Sequence, residues 1–378
     1  MMKKSTLVPM GLFVLALGSF LIAELLIGSE ALARKTAVTD LAGRKMTLDV
    51  PVDSIVLAGG SGSGNPFYTL FALLGDDAPR MIVGMDPGLK KNRHWFWEKY
   101  LKRYPELKDV PDVGAPPEVN MEKIISLKPD VIMVSTSTYK SGKDAFQTLE
   151  KAGIPVVLND YHTETLDTHI RSMKLVGDIV GRPKRAQELI DFYRKQCALV
   201  EDRLSKSSIP KPRTYVELGQ DPKEYRNTYG NSMWGLLIPR AGGRNIAQGV
   251  VGDYAPVSPE FVLKCNPQVV VFTGANWPAR PDSLQLGYFT DQTEARRRLE
   301  KFLSRPGWAE LEAVRNGRVY GIHHGLAREI WDFYSLQCFA KWFHPELFDD
   351  LNPLDCFKEF HEKFLGVDFS GTWAVDLN

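Results

Sequence analysis

VNMEKIISLKPDVIMVST (residues 119–136) and VSPEFVLKCNPQVVVFTG (residues 257–274) are two copies of one design. In each, a carboxylate (Glu122, Glu260) opens a short amphipathic helix, a proline seven positions on (Pro129, Pro267) stops it, and an apolar run rich in β-branched residues follows. A chain that builds one helix–strand unit twice is expected to contain two similar α/β lobes.

Working outward from the first copy, SIVL (54–57) and RMIVGM (80–85) read as strands, DVIMVST (130–136) as a third and IPVVLND (154–160) as a fourth, with helical spacing in FYTLFALLG (67–75) and AFQTLEKAG (145–153) between them. Continuous apolar strands, each followed by a helix, specify a parallel sheet covered on both faces. The rhythm then changes. TLDTHIRSMKLVGDIVG and RPKRAQELIDFYRKQCALVEDRLSK carry apolar residues at three- and four-residue intervals and no strand signal, so residues 165–207 are read as a long connecting helix. Strand–helix units resume with RTYVELG (213–219), the second copy and GRVYGIHHG (317–325), and the chain ends in helical segments that include FYSLQCFAKWFHPELF and PLDCFKEFHEKFLG. The expected fold class is α/β: two Rossmann-like lobes, residues 34–164 and 208–378, joined by a single long α-helix, with a ligand cleft between the lobes. A length of 378 residues suits two domains of about 100–200 residues each.

Composition removes several function classes. With 47 basic against 46 acidic residues the net charge is +1, so no bulk field recruits nucleic acid or an anionic membrane. At the N-terminus, Lys3 and Lys4 precede an apolar stretch from Leu7 to Ile27, and Ala31-Leu32-Ala33 offers the small residues of a signal-peptidase site. Residues 1–33 are read as a cleavable secretory signal with the cut near Ala33/Arg34; an uncleaved anchor is the alternative that the length of the apolar run leaves open. No cysteine lies near that site, which argues against lipid-anchored export. Cys197, Cys265, Cys338 and Cys356 form no CxxC pair and read as buried thiols or a structural bridge.

The ordered set VGAPPEVNMEKIISLKPDVIMVS, KAGIPVVLND, a long helix, GGRNIA, VSPEFVLKCNPQVVVFTG and GWAELEAVRNGRVYGI resembles the periplasmic substrate-binding proteins of ABC importers for iron-siderophores, haem and cobalamin, of the helical-backbone type. That resemblance covers nearly the whole chain after the signal. It implies a partner, the dimer of transmembrane permease subunits, and it implies that Glu122 and Glu260 dock onto permease arginines. It also implies a cargo rather than a cofactor: a metal chelate, foremost a ferric siderophore, with haem or cobalamin as alternatives.

Ligands of open α/β sheets sit beyond the carboxyl ends of the strands. In the first lobe these exits carry Gly59 to Asn65, Arg93, His94, Trp95, Tyr139, Tyr161 and His162; in the second, Tyr225, Arg226, Tyr229, Trp277, Arg280, His323 and Trp331. Aromatic and cationic side chains alternating at the exits suit a bulky, partly anionic chelate, with rings to stack on it and arginines to pair with its oxygens. The same positions offer a rival reading, a bare Zn, Mn or Ni ion held by His94, His162 and His323. GGSGSGNP echoes a dinucleotide loop, but Phe67 stands where the third glycine belongs. There is no GxSxG or HExxH, and binding without turnover is the expected activity.

Overall fold

The computed structural model describes residues 33–58, 66–163 and 165–377; most of the segment read as an export signal, up to residue 32, and the glycine-rich stretch 59–65 lie outside the described residues. The described chain opens on an antiparallel hairpin, Arg34–Thr39 with Lys45–Val50, which the apolar-run criterion passes over because each strand buries only one side chain, Val38 and Leu48. Asp40 ties its turn down by accepting from the Arg44 backbone N–H and from Nε (3.0 and 2.7 Å).

Four parallel strands follow: β1 (Ile55–Leu57), β2 (Ile82–Met85), β3 (Val131–Ser135) and β4 (Val156–Asn159), in the order β2-β1-β3-β4. Every residue of β1, β3 and β4 is buried, as strands covered on both faces must be. Helix α1 (His94–Arg103) leaves the second exit. Helix α2 (Met121–Leu127) is the first copy of the repeated unit, and α3 (Thr136–Ser141) starts directly after β3.

The segment 165–207 divides into α4 (Leu166–Ile179) and α5 (Pro183–Ser205). Gly181, at φ +66°, makes the break where a Cβ would come within 2.8 Å of Pro51, and Pro183 restarts the helix where its missing N–H costs nothing. The two helices lie side by side, close enough that a Cβ on Gly177 would meet Ala186 Cβ at 2.3 Å. Helix α4 covers the first lobe, so the long connection is α5 alone, 23 residues or about 34 Å at 1.5 Å per residue.

In the second lobe β5 (Arg213–Leu218), β6 (Val269–Gly274) and β7 (Val319–His323) are parallel, and β8 (Ala374–Asp376) closes the edge antiparallel to β7. Helix α6 (Pro259–Cys265) is the second copy of the unit, and α7 (Asp332–Phe343) packs on α5. All four cysteines are free thiols, with Cys197 and Cys338 buried.

Each lobe has an outer apolar cluster of its own, but the largest core runs through both lobes and α5. Its centre is Trp331, stacked on Phe96 (5.5 Å between centroids, 15° between planes) and 4.4 Å from Tyr68, both from the first lobe. Phe96 also meets Tyr288 and Trp373 edge-on at 5.3 and 5.5 Å, and the Tyr100 hydroxyl donates to Leu365 O at 3.2 Å. Buried aromatic rings contribute the largest areas in any core, so lobes joined in this way unfold together. Phe96→Ala is expected to cost about 3–5 kcal/mol, read as a lower denaturant midpoint in one transition shared by both lobes; two separated transitions in the wild type would show that the lobes are independent.

Candidate ligand-binding cleft

Between the lobes lies a cleft of about 690 Å³. Its first wall is the start of α3, where Thr136, Ser137, Lys140 and Ser141 face the opening because β3 ends at Ser135, whose hydroxyl caps the helix by accepting from Thr138 N–H (3.1 Å). Beside it the loop after β4 is shaped by Asp160, which accepts from the backbone N–H of His162 (2.8 Å) and the hydroxyl of Thr163 (2.8 Å) and thereby presents the His162 ring. The opposite wall comes from Asn231, Ser232, Asp253, Tyr254 and Arg328.

The inner end is a strap, residues 323–332, that crosses from β7 to α7. His323 Nδ1 accepts from Gly325 N–H (2.9 Å), Trp331 Nε1 donates to Gly325 O (2.9 Å), and Ser335 donates to Leu326 O (3.1 Å). Arg93 lies against this strap so closely that a Cβ at Gly325 would fall 1.8 Å from its Nη1. Arg328 occupies the left-handed region at φ +64°, a conformation that turns the chain sharply at the cleft. His324 is held by Thr273, Oγ1 to Nδ1 at 3.0 Å.

Burial is the main force on the imidazoles here, and the guanidinium groups add to it. Burial, then Arg328, His169 and Arg93, push His162 down to about 3, and its Nδ1 has no hydrogen-bond partner among the described residues. Burial with Arg93 drives His323 well below its ordinary range, and burial with Arg93 and Arg328 does the same to His324. Positive charge at the inner end is therefore carried by Arg93 and Arg328, next to neutral rings and hydroxyls. Such a surface recognises oxygen-bearing anions.

Of the side chains singled out from sequence, His162 lines the cleft, Arg93 is close enough to act on both His162 and the buried His323, and Tyr229 and Trp277 lie around His324 at 6.4 and 5.7 Å. The others are corrected by their packing. Tyr139 stacks on Phe146, lies under Arg44 and donates to Glu150 (3.1 Å) on the outer face of the first lobe. Tyr161 is buried against Thr69 (2.7 Å) and His169. Tyr225 accepts from Trp308 Nε1 (2.6 Å) in the second lobe's own cluster, and Arg226 is paired with Glu224 and Asp221. Trp331 is inter-lobe core, Arg280 is exposed in a turn, and Trp95 meets Phe289 edge-on (5.8 Å) along the seam, with His94 half-buried before it. Arg328 and the hydroxyls of α3 were not legible beforehand: AREIW reads as an ordinary helix start, and only the left-handed residue aims it at the cleft. Among the described residues no group of three or more histidine, cysteine or carboxylate side chains could hold a metal ion, so His94, His162 and His323 do not form the bare-ion site.

Glu122 and Glu260 are exposed and occupy the same position, second in α2 and in α6. Asn120 and Ser258 cap these helices by accepting from Lys123 and Phe261 N–H (2.9 and 3.2 Å), and left-handed Lys128 and Asn266 end them. Its own backbone N–H and the Ser258 hydroxyl hold the Glu260 carboxyl below its ordinary range.

This architecture defines a two-lobed solute-binding protein. Over residues 82–325, well over half its length, the chain matches the periplasmic binding protein family, and it belongs to that family, the substrate-binding components of ABC importers, which bind solutes and are not enzymes. It is similar to the crystal structure of the TroA-like periplasmic binding protein FepB from Veillonella parvula, at 37% identity over 90% of this chain and 99% of that one, with a TM-score of 0.86. It is 26% identical to the molybdate-binding protein MolA of Haemophilus influenzae over 92% of this chain and 96% of MolA, whose molybdate-bound structure superposes with a TM-score of 0.67. An uncharacterized ABC transporter substrate-binding lipoprotein of Bacillus subtilis, YvrC, is 28% identical over 59% of this chain, a match spanning 64% of that protein.

Acid should weaken the fold through the neutral histidines. The unfolded imidazole binds a proton below about pH 6.5, whereas native His162 and His361 hold off until about 3 and 4. Stability therefore falls as pH drops through that window, by about 1.4 kcal/mol per pH unit for each group. Denaturant midpoints between pH 7 and 5 should show the loss, with a flatter slope in His162→Gln; an unchanged slope in that variant would show that His162 does not contribute.

Proposed function

We propose that this chain is the exported, periplasmic binding component of an ABC importer whose cargo is an anionic, oxygen-rich metal complex, foremost a ferric siderophore. The observation that carries the reading is Arg328 in the lining of a hydroxyl-rich cleft, with Arg93 close enough to act on the same imidazoles, which are kept neutral. A cleft of about 690 Å³ is in the usual range for small-molecule sites, roughly 300–1,000 Å³, and accommodates a whole chelate. Trp331, which would serve a flat haem or corrin as a stacking surface, is engaged in the inter-lobe core, which disfavours those cargoes. A free oxyanion is the second reading, favoured by the similarity to MolA over nearly the full chain and by the polar lining. Residues 1–33 serve as the export signal, and Glu122 and Glu260, one on each lobe, are the contacts for the permease dimer, where a carboxylate at a helix N-terminus stays solvated and is favoured by the helix dipole.

The cargo test is metal content and visible absorption of protein taken from its native periplasm, followed by calorimetric titration with ferric hydroxamate and catecholate chelates and with molybdate. Stoichiometric iron with a charge-transfer band supports the chelate, molybdenum without a chelator selects the oxyanion, and a Soret or corrin band overturns both. Arg328→Ala should weaken binding by roughly 10–100-fold, the value of one or two charge-assisted hydrogen bonds. For docking, Glu122→Arg with Glu260→Arg should abolish uptake and leave the binding titration unchanged; lost binding in that double variant would refute the docking role.

A further inference from the structure

A buried charged cluster outside the cleft joins the two lobes. Where α4, α5, the helix Trp234–Arg240 and α7 meet, His169 and Asp332 are both fully buried. His169 Nδ1 stands 3.0 Å from the Tyr193 hydroxyl and 3.4 Å from Asp332 Oδ2, and its Nε2 is 3.2 Å from the carbonyl oxygen of Tyr161. Arg240 reaches the same Asp332 oxygen through Nη1 (3.4 Å) and Glu201 through Nη2 (3.1 Å), with Cys197 Sγ 3.9 Å away. A carbonyl only accepts hydrogen bonds, so Nε2 carries a proton, while Nδ1 faces both the Tyr193 hydroxyl and the Asp332 carboxylate. Burial raises the Asp332 carboxyl, but His169 and Arg240 outweigh it and hold the group below its ordinary range.

Both ends of this contact lead to the cleft. Tyr161, whose carbonyl His169 holds, immediately precedes His162 on the first wall; Ser172, one turn along α4, anchors the same loop through Asp160 O and N–H (both 2.9 Å). Asp332 closes the strap that carries Arg328 on the other side. We propose that His169 and Asp332, with Tyr193 and Arg240, form a buried polar latch between the lobes which fixes the spacing of His162 and Arg328, making His169 a positioning residue for cargo. The proposal rests on the reading of this cleft as the cargo site. A buried ion pair contributes little net stability compared with apolar packing, yet losing one partner leaves the other uncompensated; its value is a single register between the walls. The groups facing His169 are Tyr161 O and His162 from the loop, Tyr193 from α5 and Asp332 from α7, with Cys197, Glu201 and Arg240 behind Asp332.

The test has an arm that needs no cargo. Nitrogen-15 spectra of the ring should show the environment of His169 Nδ1 changed in Asp332→Asn. Amide exchange should then rise in residues 160–163 and 323–332 of that variant while the β3 and β6 strands keep their protection. With a ferric hydroxamate and molybdate as probes, His169→Gln and Asp332→Asn should each weaken binding at least tenfold, and the double variant no more than either alone. Unchanged exchange in both segments, or additive losses in the double variant, overturns the latch. Wild type that takes neither probe refutes the cargo reading, while the spectra and exchange still decide the latch.

Discussion

The packing of Trp331 between Tyr68 and Phe96 is the contact on which the rest of this molecule depends. It places an indole from the second lobe, about 1% exposed, inside rings of the first, and it turns two sheets into one continuous apolar interior. Packed interiors have few alternative arrangements. The cleft walls are therefore held at a set distance before any cargo arrives, and ordering them costs little when it binds. Helix α5 reinforces this by packing on both α4 and α7, which makes it a brace rather than a hinge.

The same packing decides the chemistry of the cleft. Rings drawn into the inter-lobe core are not available to the ligand, so what remains at the opening is largely polar: threonines, serines and Lys140 from α3, and Asn231, Ser232, Asp253 and Tyr254 from the facing lobe. Charge enters from Arg93 and Arg328 alone among the groups at the inner end, because burial beside those cations keeps His162, His323 and His324 uncharged. Imidazoles that stay neutral add no further positive charge beside the two guanidinium groups and keep hydrogen-bonding capacity in place.

The repeated unit shows how closely two distant segments can converge. Asn120 and Ser258 cap, Glu122 and Glu260 follow at the second helical position, Lys128 and Asn266 terminate in the left-handed region, and Pro129 and Pro267 lead into buried strands. Each element satisfies an orphan backbone group or stops the helix. The pairing puts one exposed carboxylate on each lobe.

What the sequence determined by itself was local and periodic: the strands β1 to β7, the helices of the repeated unit, and the two-lobe plan, all readable because continuous apolar runs and helix stops are written in neighbouring residues. His162 was legible in the cleft lining because it follows a strand exit. Tertiary structure decided the remainder. The break at Gly181 depends on Pro51, more than a hundred residues away, and Tyr139, Tyr225 and Arg226 turn outward to partners in their own lobes. Trp331 became core because Phe96 and Tyr68 come to meet it, and Arg328 became a cleft residue through one left-handed φ. Which side of a strand exit a side chain faces is set by contacts between residues far apart in the chain, and those contacts exist only once the lobes have closed on each other.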